Sequence, residues 1–302
     1  MDINQFSQLL LTKLPKDTIY LNEEMKNYTT FKIGGPVDIL IKPDSIINLA
    51  QAIKLCRTHE VPYYILGNGS NLLVADEGFR GVVIQIYTNL DEIKVEGNTV
   101  TAQAGALLSK IANKALEHSL TGFEFAHGIP GTLGGAVVMN AGAYDGEMKH
   151  VLISCDVLDS EGNILTLSNE DLELGYRKSI VQKKGYIVLS ATVGLKEGNK
   201  EEISARMKEL MARRKEKQPL DKPSAGSTFK RPEGYFAGKL IMDSGLKGYQ
   251  IGGAMISDKH SGFVVNNGGA TFKDVENLIQ HVQEVVKEKY QVVLEPEVKI
   301  LK

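Results

Sequence analysis

Phe125-Ala126-His127-Gly128-Ile129-Pro130-Gly131-Thr132-Leu133-Gly134-Gly135-Ala136-Val137-Val138-Met139-Asn140-Ala141-Gly142-Ala143-Tyr144 carries five glycines, a single proline and no Asp, Glu, Lys or Arg. A coil of this composition gains little from facing water. Buried as core, it would strand backbone N–H and C=O groups without partners. A large, flat, amphipathic ligand meets both demands, because small side chains let backbone groups reach its polar edges. Dinucleotides with an aromatic ring system have that form. The competing reading is a loop packed between domains.

Upstream, Tyr63-Tyr64-Ile65-Leu66 reads as a strand running into Gly67-Asn68-Gly69-Ser70-Asn71-Leu72-Leu73. Glycines there permit the positive φ that turns successive N–H groups into one concavity, a nest for a diphosphate. With the strand Val37–Ile41 and a helix capped by Asp44 and striped by Ile46, Ile47, Ala50, Ile53 and Leu55, this makes a βαβ unit. The dinucleotide fingerprint G-x-G-x-x-G requires a third glycine where Leu72 stands, and the P-loop pattern is absent. Taken alone, a nest and a plain glycine turn explain the segment about equally well.

Outward from these two segments the texture divides the chain into residues 1–80, 81–200 and 201–302. A short amphipathic helix carries Ile3, Phe6, Leu9 and Leu10 and stops at Pro15. The middle part reads as a mostly antiparallel sheet. Its short strands are Gly81–Ile86, Ile93–Val95, Val100–Ala104, Ile153–Leu158, Ile164–Leu167 and Tyr186–Leu195, with hairpins at Glu96-Gly97-Asn98 and Glu161-Gly162-Asn163 and one helix from Leu107 to Ser119. The last part opens with a charged helix, Glu201–Lys217, and continues as a loop-rich stretch from Pro223 to Gly269. Thr271 and Asp274 then form a capping box for a helix to Lys289, and a strand is expected at Val292–Leu294.

At 302 residues, with 42% hydrophobic and 24% charged residues, the chain can bury a real core. Its formal charge of −2 provides no global field for nucleic acid or an anionic membrane, so phosphate recognition must be local. The N-terminal stretch lacks the basic region of a signal peptide, and no run of 18 apolar residues exists. Cys56 and Cys155 form no CxxC pair and read as buried thiols of a cytoplasmic protein. The six histidines show no metal-ligand spacing.

An ordered set of motifs resembles the UDP-N-acetylenolpyruvoylglucosamine reductase family in its compact subtype. The set is Tyr28-Thr29-Thr30-Phe31-Lys32-Ile33-Gly34-Gly35, Gly67–Leu73, Gly128-Ile129-Pro130-Gly131 with Gly134-Gly135 to Gly142, Tyr176-Arg177-Lys178-Ser179 and Gly226-Ser227-Thr228-Phe229-Lys230. The resemblance implies an α+β fold: a two-subdomain FAD-binding region of the vanillyl-alcohol-oxidase or p-cresol-methylhydroxylase (VAO/PCMH) type, then an α+β substrate domain. Residues 1–80 and 81–200 would be the FAD subdomains, the first completed by the C-terminal strand, and 201–302 the substrate domain. It implies non-covalent FAD, NADPH as hydride donor, and reduction of the enolpyruvyl ether of a UDP-sugar in peptidoglycan synthesis by a cytoplasmic monomer. Two departures stand out: His127 where a small residue or cysteine is common, and Tyr144-Asp145-Gly146-Glu147 in place of Tyr-Gly-Gly-Glu. His127 is read as an ordinary loop histidine. A flavin oxidase of the same fold, acting on an alcohol or sugar lactone, is the alternative.

The implied reaction leaves a carbanion beside a carboxylate. It needs a cation on the carboxylate, a stabilising partner and an acid that protonates the carbon. By position in the motifs these are Arg177, whose planar fork pairs a carboxylate bidentately, Glu297 after Pro296, and Ser227 as proton donor. Glu295 competes with Glu297. A partly buried Glu297 would donate a hydrogen bond as a neutral acid. FAD falls to Gly67, Asn68, Gly69, Ser70, Asn71, Gly128, Ile129, Pro130, Gly131, Gly134, Asn140, Ala141 and Gly142. Tyr176 is expected to orient substrate or flavin. The substrate diphosphate is assigned to Arg213, Arg214, Lys217, Lys230 and Arg231, the basic concentration nearest Ser227.

Overall fold

The computed structural model describes residues 2–302, an α+β chain that divides into two compact units. The first holds the chain up to Tyr20, Ile39–Asn68 and Val82–Arg214; the second holds Leu21–Asp38, Gly69–Gly81 and Lys215–Lys302.

In the first unit, helix Ile46–Thr58 presents Leu49, Ala52, Ile53 and Cys56 to the core, the spacing of one helical face. Its cap is Ser45, whose Oγ accepts from Asn48 N at 3.2 Å, while Asp44 takes the Asn48 side chain at 2.6 Å. The expected Asp44 cap is therefore displaced by one residue: both side chains are eligible, and the extended backbone of Ser45 decides. Strands Tyr63–Leu66 and Phe79–Gln85 pair in parallel, Tyr63 opposite Val82 and Leu66 opposite Gln85. Phe6, Leu10, Leu49, Ile53, Val82 and Ile84 close one apolar cluster.

The antiparallel sheet expected in the middle of the chain runs in the order Ile164–Ser168, Leu152–Leu158, Ile187–Gly194, Thr99–Gln103, Ile93–Glu96; Gly81–Ile86, expected in it, pairs instead in parallel with Tyr63–Leu66, because an apolar run shows a strand but not its partner. Helix Leu108–Glu117 buries Leu108, Ile111, Ala112 and Ala115. The glycine-rich segment 125–144 is not coil throughout. Leu133–Met139 forms a short helix despite Gly134 and Gly135, with Leu133, Gly134, Ala136 and Val137 buried. Leu133 N and Gly134 N donate to Ala106 O and Ala104 O, both at 2.8 Å. These tertiary bonds offset the propensity cost of the glycine pair, which the local sequence alone shows.

Cys56 and Cys155 are buried and free, and burial pushes each thiol up to about 12. Neither should react with a thiol reagent at pH 8 in the native protein, and both should react in denaturant, because only the thiolate attacks. A fast native reaction in a reagent time course would place one of them outside the core.

In the second unit, helix Phe272–Tyr290 begins with both bonds of the Thr271–Asp274 capping box and buries Val275, Leu278, Ile279, Val282 and Val286. The stretch expected to be loop-rich contains helix Ala237–Asp243 and a three-stranded antiparallel sheet, Gln250–Ile251, Ala254–Ile256 and Val264–Asn266. Strands of two or three residues produce no readable alternation, so only their turn glycines showed. The strand expected at Val292–Leu294 is absent. Lys299–Leu301 pairs instead, in parallel with Leu72–Val74, a segment read as the tail of the glycine loop. A β-rich tripeptide becomes a strand only where a partner edge exists, and Val293 stands in solvent.

Candidate active site

Thr228 fixes the Ser227 loop. Its N–H donates to Gly262 O at 2.8 Å, its buried hydroxyl accepts from Val264 N at 2.9 Å, and its carbonyl accepts from Glu297 N at 2.8 Å. Lys230 N donates to Glu295 O at 2.9 Å, and Phe229 faces Pro296. Residues 228–230 and 295–297 therefore form a short antiparallel ribbon. Pro296 occupies its non-hydrogen-bonded position, where a missing N–H costs nothing. Ser227, exposed at the ribbon's mouth, and Glu297, half-buried on the facing strand, are brought together within this unit. Asn71 Nδ2 donates to the Glu297 carbonyl at 3.2 Å, and Asn71 O accepts from Lys299 N at 3.0 Å. The Glu295 carboxylate is paired with Lys230.

Arg177 lies in the first unit. Gly175 and Lys178 exchange both backbone hydrogen bonds, each 3.1 Å, so Tyr176 and Arg177 occupy the tip of a two-residue turn. Arg177 adopts φ +54, and its guanidinium lies 5.0 Å over the Tyr176 ring. The two glycine segments of the sequence meet here as well. Asn68 Nδ2 donates to Pro130 O at 2.8 Å, and a Cβ on Gly67 would stand 2.5 Å from Thr132 Oγ1. Gly131 O and Gly134 N bond within the fold, and Asn140 is wholly buried with its side chain committed to protein partners. A ligand here would meet only the backbone groups that these bonds leave open.

Two polar groups beside this loop have no partner among the described residues. His127 Nδ1 is buried without a hydrogen bond, and burial holds its imidazole below the usual pKa, hence neutral at pH 7. Arg214 makes no ion pair or hydrogen bond among those residues, and its Cδ lies 3.2 Å from where a Gly128 Cβ would be. Burial holds that guanidinium below its ordinary pKa. A half-buried cation without an anion is costly unless one arrives. An uncharged loop with an open cation and an open imidazole nitrogen fits an anionic, flat dinucleotide such as FAD.

The five basic residues assigned to a diphosphate separate. Ile203, Met207 and Leu210 form the buried stripe of helix Lys200–Lys217, and Arg214 continues it at the next turn. Arg213, one step round, pairs in solvent with Glu209 at 2.5 Å. Lys230 is held by Glu295, and Arg231 stacks 4.3 Å over Phe236. Lys217 is exposed. Lys215, Lys222 and Lys259, not singled out from the sequence, line with Asp221, Asp258 and Ser257 a cavity of ≈ 410 Å³ in the second unit. Isolated lysines so far apart leave no pattern to read.

Residues 218–301 match the family described as UDP-N-acetylenolpyruvoylglucosamine reductase, C-terminal domain, and residues 37–168 match an FAD binding domain. The UDP-N-acetylenolpyruvoylglucosamine reductase of Caldanaerobacter subterraneus is 59% identical over 288 residues, 95% of each chain. That of Clostridium perfringens is 56% identical over 297 residues, covering 98% of this chain and 97% of its own. Among solved structures, the reductase of Thermus caldophilus superposes with a TM-score of 0.80 at 40% identity, over 94% of this chain and 98% of that one. Phl p 4.0202, a glucose dehydrogenase, reaches a TM-score of 0.52 at 15% identity over 65% of this chain and 44% of its own, a likeness of fold alone.

Proposed function

The chain belongs to the UDP-N-acetylenolpyruvoylglucosamine reductase family, and on that footing we propose how its residues divide the work. It is an FAD-dependent oxidoreductase that reduces the enolpyruvyl ether of UDP-N-acetylglucosamine enolpyruvate to UDP-N-acetylmuramate for peptidoglycan synthesis, with NADPH as donor. Bound FAD supplies the hydride transfer between donor and substrate. Residues 1–80 and 81–200 hold it without a covalent bond, and 201–302 receive the UDP-sugar. The family matches at 37–168 and 218–301 support an FAD-binding region followed by a C-terminal domain.

Arg177 pairs the substrate carboxylate through its planar fork, so that charge reaching the neighbouring carbon spreads into a group already held by a cation. Ser227 gives its hydroxyl proton to that carbon. Glu297 stands across the ribbon and stabilises the charged species. The observation that carries this reading is the hydrogen-bonded pairing of Thr228 with Glu297, which supports joint action by two residues distant in sequence. Arg214 is proposed to face the cofactor, because it packs on Gly128; of the basic residues, Lys217 is proposed for the substrate diphosphate. The protein acts in the cytoplasm; among the described residues no helix is long and apolar enough to cross a membrane.

The test is anaerobic. NADPH is expected to bleach the purified yellow protein, and the enolpyruvyl sugar nucleotide to restore the colour. A protein that stays yellow under NADPH, or that is reoxidised only by oxygen, would sink the assignment.

A further inference from the structure

We propose that Asn140 is the positioning residue for Arg177. The proposal rests on the role given above to Arg177. Asn140 is fully buried and closes helix Leu133–Met139 in the left-handed conformation, φ 41. Its carboxamide is used on every side. Lys149 N–H donates to Oδ1 at 2.9 Å, which fixes which end is oxygen. Nδ2 then donates to Gly175 O and to Glu147 Oε2, both at 3.1 Å.

Gly175 is the residue at which the Tyr176–Arg177 turn opens. On the far side, Ser179 Oγ donates to Val138 O at 2.7 Å and caps the next helix by accepting from Gln182 N. The turn is thus pinned at both ends to the last turn of one helix, and that helix is bonded to Ala104 and Ala106 beside the five-stranded sheet. Arg177 is held between the pins at φ +54, a conformation that costs a non-glycine residue about 1 kcal/mol and persists only where surroundings impose it. Glu147, left without a role by the reaction, acquires one: it orients the carboxamide that holds Gly175.

Asn140→Gly removes the carboxamide while tolerating the left-handed backbone. With the variant saturated in FAD, so that any change in the affinity of a segment assigned to the cofactor drops out, reoxidation by the enolpyruvyl substrate should slow about tenfold to a hundredfold more than reduction by NADPH, the cost of misplacing a charge by an ångström. A generic structural defect would slow both half-reactions. Glu147→Ala, at a half-exposed site, should slow the same half-reaction alone by a smaller factor, and it serves if Asn140→Gly fails to fold. In an Arg177→Lys background the Asn140→Gly change should add less than about twofold, since residues acting as one unit are not additive. Equal slowing of both half-reactions, or effects that multiply, overturn the proposal. Parental reoxidation in Asn140→Gly beside slow reoxidation in Arg177→Lys overturns it alone. Parental reoxidation in Arg177→Lys removes the role of Arg177 and this proposal with it.

Discussion

Ser227→Ala should leave reduction by NADPH at its parental rate and slow reoxidation by the enolpyruvyl substrate by about 10³-fold, within the range for removing a positioned acid. The asymmetry follows from where the hydroxyl is proposed to act. Hydride enters from NADPH without a proton from Ser227, whereas the substrate carbon must be protonated to complete its reduction. Serine is a weak acid in water, and only a strongly basic carbon held against it makes the transfer feasible. The substitution is clean because Thr228, not Ser227, carries the bonds to Gly262, Val264 and Glu297 that fix the loop. Removing an exposed hydroxyl should shift stability by less than about 0.5 kcal/mol, so urea midpoints serve as the control. Stopped-flow traces in which both half-reactions slow alike would move the proton to another donor.

The assignment of Ser227 shows what sequence could carry. Its residue type and its place after Gly226 were readable, and Glu297 was named beside it; the backbone pairing of their two segments was not. Glu297 reaches it through a ribbon between segments that share no local pattern, and Pro296, readable only as a stiffener, sits in the one ladder position that needs no N–H. Long periodic elements were legible because many residues vote together. Helix Phe272–Tyr290 has a capping box and a six-residue buried stripe, and the central hairpins alternate over several residues. The parallel pair Leu72–Val74 with Lys299–Leu301 was not legible, since three residues without a known partner carry no signal. Arg213 and Arg214 mark the boundary between the two cases. They are adjacent, yet a helix turns each residue by about 100° from the last, so one meets Glu209 in solvent and the other continues the stripe of Ile203, Met207 and Leu210. Helical spacing carried one turn past Leu210 is enough to tell the two arginines apart.

Gly69→Ala should weaken flavin binding at least about tenfold while a matched change elsewhere leaves it alone. Gly69 has φ +63, and an added Cβ would overlap Tyr28 O and stand 2.9 Å from Thr29 Cα. Both obstacles are backbone, so no rotamer change relieves them. The left-handed conformation adds about 1 kcal/mol for alanine, and the total loss of stability should reach about 2–3 kcal/mol. The strain cannot stay local. Gly69 O accepts from Thr30 N at 3.1 Å, Thr30 Oγ1 donates to Ser224 O at 2.6 Å, and Asn71 two residues on holds the Glu297 carbonyl. Shifting Gly69 therefore displaces the N–H groups of Ser70 and Asn71, which are proposed to meet the cofactor diphosphate, and loosens the Ser227 loop together with them. Gly97→Ala is the control: φ is +54 in a hairpin, but nothing lies within 4 Å of the new Cβ. It should cost only about 1 kcal/mol and leave flavin affinity unchanged. Fluorescence titration of the apoprotein with FAD, beside urea unfolding of both variants, separates the two effects. Parental affinity in Gly69→Ala would remove the Gly67–Asn71 segment from the flavin site and leave binding to the loop of Gly128.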